Sequence, residues 1–459
     1  MILTIKYLTL YLRGEKVRRG ENVRRGEKVR RGENVRRDKS VLGKCLAGAL
    51  LMLPLVATGQ GELLRIEVLQ QMAEKNYPLV KQFGLTELSR DYTVSNASKG
   101  YLPQLGLSAR ATYQSEVTQI PANMPGVTPL SKDQYQAVLE LNQTIWDGGA
   151  IESQKKIARA TSDTELKKSA AELYAVRERV NQLFFGILLL EEQIKQTEIL
   201  TGELTTNHKK VSAYAENGVA AKPDLDAVKV EILKAAQRNE ELLMTCRTYR
   251  EMLAVITGAE EAKRIGLMKP EAEGILPAGE NRRPELELFS AQMNLIKSQE
   301  AGIRAATMPR LNLFVQGGYG NPGLNMLKNE FSAYYIGGVR LAWNFGSFYT
   351  KGNSLKKLET GMESVKVMQE TFLFNSNLAE MQQRNEVMKF AKQLQADNEI
   401  IELRNNIKRA AEKKVENGTL SVSDLIREIN AENMARQERA THEIMHLMAI
   451  YSIKYLKNN

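Results

Sequence analysis

The chain has 459 residues, enough for two or three ordinary hydrophobic cores. Its formal net charge is +10, but residues 1–44 carry 14 of the 64 Lys and Arg residues and only 5 of the 54 Asp and Glu residues. The rest of the chain therefore carries 50 basic and 49 acidic side chains, a balance that excludes nucleic acid as a partner of the main body.

Residues 1–59 are predicted to be a basic repeat leader followed by a signal peptide. The hexamers GEKVRR and GENVRR alternate from Gly14 to Arg37. We interpret them as low-complexity sequence ahead of the true start, and not as a basic tail for nucleic acid or anionic lipid. The apolar run from Leu46 to Val56 then ends in small residues. That order is typical of a secretory signal, so we expect export and a mature chain that begins near Gln60.

The exported part of the sequence repeats its own markers in the same order, 200 to 206 residues apart. The pairs are Pro78 and Pro284, Pro103 and Pro309, Leu105 and Leu311, Gly218 and Gly418, and Asp224 and Asp424. This internal two-fold repeat predicts two copies of one unit, residues 60–260 and 283–459, joined by a linker over 261–282. Each copy is predicted to contain a short helix, a strand pair and a long helical hairpin.

The strand pairs are predicted over 101–147 and 308–346. Apolar and polar residues alternate in stretches of about ten, which is the length and pattern of a tilted strand that crosses a membrane. Alternation alone also fits a half-buried soluble sheet. Aromatic residues at the strand ends, such as Tyr113, Tyr319 and Trp343, together with the export signal, favour an outer-membrane barrel. The polar face is then expected to line a lumen with Arg110, Glu140 and Arg340.

Four strands cannot close a barrel of useful bore. Unpaired backbone groups in hydrocarbon cost several kcal/mol each, so a lipid-exposed sheet has no open edge. Several copies must therefore pool their strands, and three copies give twelve. The predicted class is therefore a membrane α+β protein that forms an oligomer, in which each protomer contributes four strands to one closed β-barrel.

The helical hairpins are predicted over 149–258 and 348–456. No proline occurs from Ala150 to Ala215, and apolar residues recur there at steps of three and four, as in a coiled coil. A helix of that length is a rod of about 95 Å, long enough to span a periplasm-sized gap. Cys246 falls on the apolar stripe of the return helix, so we expect a buried, inert thiol.

One motif points toward enzyme chemistry. His442, Glu443 and His446 match H-E-x-x-H, which can hold zinc with the glutamate as base. A catalytic zinc needs a third protein ligand, and no Asp, Glu or His follows the motif. We therefore predict that the chain is not an enzyme and carries no metal or other cofactor.

The order of these markers is similar to that of the TolC family of outer-membrane efflux and secretion channels. The resemblance spans nearly all of residues 62–456. Its markers are Asn76-Tyr77-Pro78-Leu79, Arg283-Pro284-Glu285-Leu286, Tyr101-Leu102-Pro103-Gln104-Leu105, Met308-Pro309-Arg310-Leu311, Trp146-Asp147-Gly148-Gly149 and the two Asn-Gly tips. Each marker is weak alone, but their order and duplication are specific.

This resemblance implies a homotrimer in the outer membrane, with a trimeric 12-stranded β-barrel (four strands per protomer) that a long α-helical coiled-coil barrel continues as a tunnel in the periplasm. It implies a passive conduit of a tripartite efflux or type I secretion system, driven through a periplasmic adaptor by an inner-membrane pump of RND, ABC or MFS type. The adaptor contacts would be the hairpin tips, Asn217, Gly218, Val219, Ala220, Asn417, Gly418, Thr419 and Leu420. The resemblance does not identify the cargo, because drugs, metal ions, lipids and polypeptides would all pass through the same channel.

The periplasmic gate is expected at Asp224, Asp424 and Arg427. The family often narrows its tip with acidic rings in an Asp-Val-Leu-Asp pattern, whereas this chain reads Asp424-Leu425-Ile426-Arg427. Asp424 and Arg427 would form a salt-bridged latch at the three-fold axis, or would be ordinary capping and surface residues. The alternative function is a soluble periplasmic coiled-coil adaptor or scaffold, which explains the hairpins but not the strands.

Overall fold

The computed structural model describes residues 63–118, 129–218, 220–271 and 279–458, all within one compact unit, Gly59–Asn459. The predicted leader and signal peptide lie outside these residues, as does Val219. The helices are α1 Ile66–Asn76, α2 Val80–Ser98, α3 Ala150–Glu216, α4 Lys222–Thr257, α5 Pro284–Ala306, α6 Gly346–Glu416 and α7 Val422–Lys457. The strands are β1 Gln104–Tyr113, β2 Asp133–Trp146, β3 Arg310–Asn321 and β4 Ser332–Ala342.

The four strands form one antiparallel sheet in the order β1-β2-β3-β4. This confirms the predicted α+β class with four strands in the chain. Because neighbouring strands in the sheet are also neighbours in sequence, the sheet is a meander, and its two edges are β1 and β4. The order helix, strand, strand, helix, helix occurs from α2 to α4 and again from α5 to α7.

Two very long helices leave the sheet. α3 has 67 residues and α6 has 71, so each is about 100 Å long. Neither contains proline, which would interrupt the backbone hydrogen bonds. The return helices α4 and α7 have 36 residues each and reach only about halfway back. The shorter helices α2 and α5 pack on the remaining half, next to the sheet.

The start of the described chain differs from the single short helix predicted there. Two helices, α1 and α2, flank the segment Tyr77 to Leu79. Tyr77 has extended backbone, with φ −64° and ψ 130°, because a residue that precedes proline is sterically excluded from the helical region. Pro78 therefore ends α1 and does not open the next helix directly. The helix of the second copy, α5, has 23 residues and is not short.

The second strand pair ends earlier than predicted. Strand β4 stops at Ala342, whereas the pair was expected to continue to residue 346. The Asn344 side chain accepts the backbone N–H of Gly346 at 3.0 Å, and this local turn replaces the strand ladder. Trp343 and Phe345 consequently lie in the junction before α6, where their rings are in contact with centroids 4.8 Å apart.

The hydrophobic core is divided along the rod. The larger cluster lies where α1, α4 and α7 meet the middle of α3, around the fully buried Phe184 and Phe185. Leu267, from the segment that we predict as a linker, packs into the same cluster and pairs with Leu64 in a parallel bridge. A second cluster lies near the tips, around Leu204 and Ile429. Cys246 belongs to the larger cluster and is buried, as predicted.

Candidate functional site

The apolar face of the sheet is not covered by any other part of the described chain. Leu107 on β1 is 77% exposed and Leu341 on β4 is 66% exposed. Over residues 135–140 of β2 and 334–339 of β4, the apolar-face positions are exposed while the polar-face positions are partly covered. A soluble sheet buries its apolar face against another layer. This sheet has the opposite arrangement.

The strand register brings Arg110, Glu140 and Arg340 onto the polar face together. The Arg110 guanidinium donates to Gln136 at 3.4 Å, and Gln136 in turn donates to the Tyr334 hydroxyl. Glu140 accepts from the Asn142 amide at 2.8 Å. The Arg340 guanidinium lies 4.8 Å from the centroid of the Phe314 ring. Neutral partners therefore orient these charged groups.

Aromatic side chains lie at both ends of the sheet. Near the β1–β2 and β3–β4 connections, Phe331 stacks with Tyr135 and Tyr319, with ring centroids 6.3 and 5.6 Å away. At the end nearest the helices are Tyr101, Trp146, Trp343, Phe345 and Tyr349, all exposed. Tyr334 does not belong to either group, because it lies on the polar face opposite Gly318.

Both edges of the molecule carry exposed apolar side chains. In the half nearest the sheet, α2 packs on α3, α3 on α5 and α5 on α6; in the half nearest the tips, α4 packs on α3, α3 on α7 and α7 on α6. The outer helices are thus α2 and α4 on one side and α6 on the other. Their exposed large apolar residues include Leu85, Leu88 and Tyr92 on α2, Leu233, Met244 and Val255 on α4, and Phe374, Leu378, Met381 and Leu403 on α6.

The hairpin tips end in left-handed glycines. Gly218 and Gly418 have φ of +73° and +66°, and a Cβ atom added at either would meet open space. Their preceding residues Asn217 and Asn417 are exposed, as is Thr419, whose hydroxyl donates to a carbonyl of the last turn of α6. Ala220 and Leu420 instead pack partly against the core cluster near the tips.

Two of the gate candidates, Asp224 and Asp424, are capping residues at the starts of α4 and α7. Asp224 accepts the backbone N–H of Ala221 at 3.0 Å. The backbone N–H of Asp424 donates to Ser421 Oγ at 3.1 Å, and the Ser421 hydroxyl donates to the Asp424 carboxylate at 2.7 Å. Arg427 lies 3.1 Å from Asp424 within the same helix. Within one chain, Asp424 thus combines a capping role with an ion pair.

A buried ionic cluster near the tips was not predicted. Lys408 on α6 contacts Glu203 on α3 at 2.8 Å and Glu432 on α7 at 3.2 Å; Glu432 also pairs with Arg436. Burial alone would lower the pKa of Lys408, but the hydrogen bonds and charges of Glu203 and Glu432 outweigh it and raise the pKa. Lys408 and Glu203 are far apart in sequence, and neither belongs to a recognisable motif.

The H-E-x-x-H residues face separate partners. His442 Nδ1 lies 2.8 Å from Asp397, and His446 Nδ1 lies 3.2 Å from the Val387 carbonyl. These acceptors are ten residues apart on α6, about 15 Å along the helix, whereas the two histidines are four residues apart, about 6 Å. The two imidazole rings therefore diverge from each other. Glu443 pairs with Lys269 at 2.6 Å.

In the part of the chain that the structure describes, no group of three or more His, Cys, Asp or Glu residues is arranged to hold a metal ion. Among the described helices, none is long and apolar enough to cross a membrane.

The sequence was compared with protein-family models, and residues 69–259 match the model of the outer membrane efflux proteins. The chain resembles the outer membrane efflux proteins. The predicted similarity to TolC-like outer-membrane efflux channels is thereby confirmed. No curated protein sequence matches the chain.

Solved structures of outer membrane proteins and channels share the fold. The outer membrane protein VceC of Vibrio cholerae has a TM-score of 0.63 at 12% identity, over 85% of this chain and 96% of its own. The CmeC outer membrane channel of Campylobacter jejuni gives 0.61 at 14%, over 85% of each chain. The MtrE outer membrane channel of Neisseria gonorrhoeae, in its open state, gives 0.60 at 13%, over 86% and 89%. At these identities the likeness establishes the fold.

Proposed function

We propose that this efflux-protein relative is the outer-membrane exit duct of a tripartite efflux or type I secretion system. Three copies close a 12-stranded barrel in the outer membrane and continue it as a helical tunnel in the periplasm. The duct is passive and uses no cofactor. An inner-membrane pump drives transport through a periplasmic adaptor, and the helical tips form the gate.

The observation that supports this proposal most directly is the exposed apolar face of a sheet whose two edges are open in the single chain. Each edge strand has ten or eleven residues and presents about ten unpaired backbone N–H and C=O groups. In hydrocarbon each such group costs several kcal/mol, so a lone subunit in lipid would be destabilised by tens of kcal/mol. Pairing β4 of one copy with β1 of the next removes this penalty.

The exposure of the hairpin tips supports the proposed position of the adaptor contact. Asn217, Gly218, Asn417, Gly418 and Thr419 are exposed at the end of rods about 100 Å long, where a periplasmic partner could reach them. Val219, Ala220 and Leu420 complete the proposed contact.

We further propose that Asp224, Asp424 and Arg427 form the gate, because they begin the return helices that would have to rearrange for the tip to open. Arg110, Glu140 and Arg340 are proposed to line the lumen.

A matched pair of substitutions on β1 tests the proposal. Leu107 and Ser108 are adjacent but lie on opposite faces of the sheet. Leu107→Arg places a charge on the proposed lipid face, at up to about 2–4 kcal/mol per copy, and should remove the protein from carbonate-washed outer membranes. Ser108→Arg faces the proposed lumen and should be retained as a trimer.

The alternative soluble scaffold predicts a different result. Both side chains would be in water, so the two variants would behave alike. A wild-type protein released by high-salt and carbonate washing would favour the scaffold and contradict the duct.

A further inference from the structure

The polar face of the sheet carries an excess of positive charge. Across the four strands it presents Arg110, Arg310 and Arg340 but only one carboxylate, Glu140. Each chain therefore contributes a net charge of +2 to this face. In a closed trimer the barrel interior would carry +6, although the exported part of the chain is almost neutral.

No carboxylate neutralises these arginines within the described residues. None of the three forms an ion pair with an Asp or Glu there, and the groups that hold Arg110 and Arg340 are an amide and an aromatic ring. Arg110 and Arg340 are exposed, as is Arg310, so each guanidinium is available to a solute on that side of the sheet.

Glu140 is too distant to cancel either neighbouring ring of charge. Arg110 is level with Gln136, four residues from Glu140 along β2, and Arg340 is four residues beyond Glu140 in the other direction. Four residues of antiparallel strand span about 13 Å. That separation exceeds the Debye length of about 8–10 Å at physiological ionic strength. In the proposed trimer a solute would therefore meet two rings of three positive charges, separated by one ring of three negative charges.

The acidic residue expected at the tip does not offset this excess. Asp424 forms its ion pair with Arg427 of the same helix at 3.1 Å, so the pair is neutral as a unit. Within the barrel section, walls of low dielectric strengthen the effect of these fixed charges.

We infer that the barrel section selects for anions, and that Arg110 and Arg340 are its specificity-determining residues, with Arg310 adding to the same field. This inference rests on the proposed function, because it requires the polar face to line a lumen. The favoured cargo would be anionic solutes, such as carboxylates and phosphate or sulfate esters.

The test is the ion selectivity of the purified full chain in a planar bilayer under a KCl gradient. Chloride should permeate better than potassium, and the preference should decrease as salt rises from 0.1 to 1 M, where the Debye length falls to about 3 Å. Arg110→Gln and Arg340→Gln should each lower the chloride-to-potassium permeability ratio at least about twofold. The double variant Arg110→Glu/Arg340→Glu should reverse the preference.

Charge-conserving variants provide the control. Arg110→Lys and Arg340→Lys should keep the anion preference, since the charge and not the guanidinium shape determines it. A conducting wild-type channel that prefers potassium, or a permeability ratio unchanged by the Gln and Glu variants, would overturn the inference and leave the duct intact. A membrane-inserted protein with no conductance at all would overturn the duct and the inference together.

Discussion

The buried cluster around Lys408 gives the sharpest test of how the two hairpins are held together. Lys408 Nζ bridges Glu203 and Glu432, and so joins α3 to α7 through α6. Lys408→Met keeps most of the side-chain volume but leaves the Glu432 carboxylate, 2% exposed, with Arg436 as its remaining cation. Removal of one partner from a buried pair costs about 3–5 kcal/mol.

The lower end of that range applies here. Arg436 continues to compensate Glu432, and the Glu203 side chain is about one-third exposed and so can be hydrated. A loss of about 3 kcal/mol corresponds to an increase on the order of 100-fold in local opening. Hydrogen–deuterium exchange should show this increase in α6 and α7 near the cluster, while the helices beside the sheet keep their protection.

Two further variants separate charge burial from a general effect of substitution. Lys413→Met, at an exposed position on the same helix, should leave exchange unchanged. Lys408→Met/Glu432→Met removes both charges and should recover most of the protection, because an apolar pair of similar volume is often as stable as a buried ion pair. Exchange in Lys408→Met no faster than in Lys413→Met would refute the reasoning.

Three further predictions concern the tips, the thiol and alkaline pH. Gly218→Val or Gly418→Val should weaken adaptor cross-linking, because a β-branched residue in left-handed backbone costs about 1–2 kcal/mol, whereas Gly→Asn should be tolerated; equal cross-linking in both would contradict this. Cys246 should resist maleimide until the chain unfolds, since burial raises its pKa; rapid labelling of folded protein, followed by mass spectrometry, would argue otherwise. Burial also raises the pKa of Tyr174. This tyrosine therefore stabilises the fold below its unfolded pKa of about 10, and the contribution is lost as the pH rises further. In melting curves at alkaline pH, Tyr174→Phe should lose less stability with rising pH than the wild type.

Short-range patterns in the sequence predicted the four strands well. A period of two assigns a residue to one face of a strand whatever that strand pairs with, so Arg110, Glu140 and Arg340 could be grouped before the register was known. The helix ends at the tips are also determined by local sequence, because Gly218 and Gly418 adopt the left-handed backbone that ends each helix without contacts from distant residues.

Long-range packing accounts for what the sequence did not predict. Lys408 and Glu203 are 205 residues apart, and no local pattern indicates that a lysine on one hairpin will be buried against a glutamate of the other. Tyr334 shows the same limit, because alternation in the sequence does not indicate which residues of other strands lie beside it. Only the register places it beside Gln136 on the polar face.

The sheet and the rods share the same two edges, and this limits how the molecule can assemble. β1, α2 and α4 lie on one side, and β4 and α6 on the other. One contact between neighbouring copies would therefore pair the open strands and cover the exposed apolar residues of α2, α4 and α6 at the same time. Such a contact joins two different surfaces, so it repeats either into a closed ring or into an open filament, and only a closed ring fits the proposed barrel. A two-fold dimer would leave one of the two surfaces open on each copy, and in the proposed duct its unpaired backbone groups would remain in lipid.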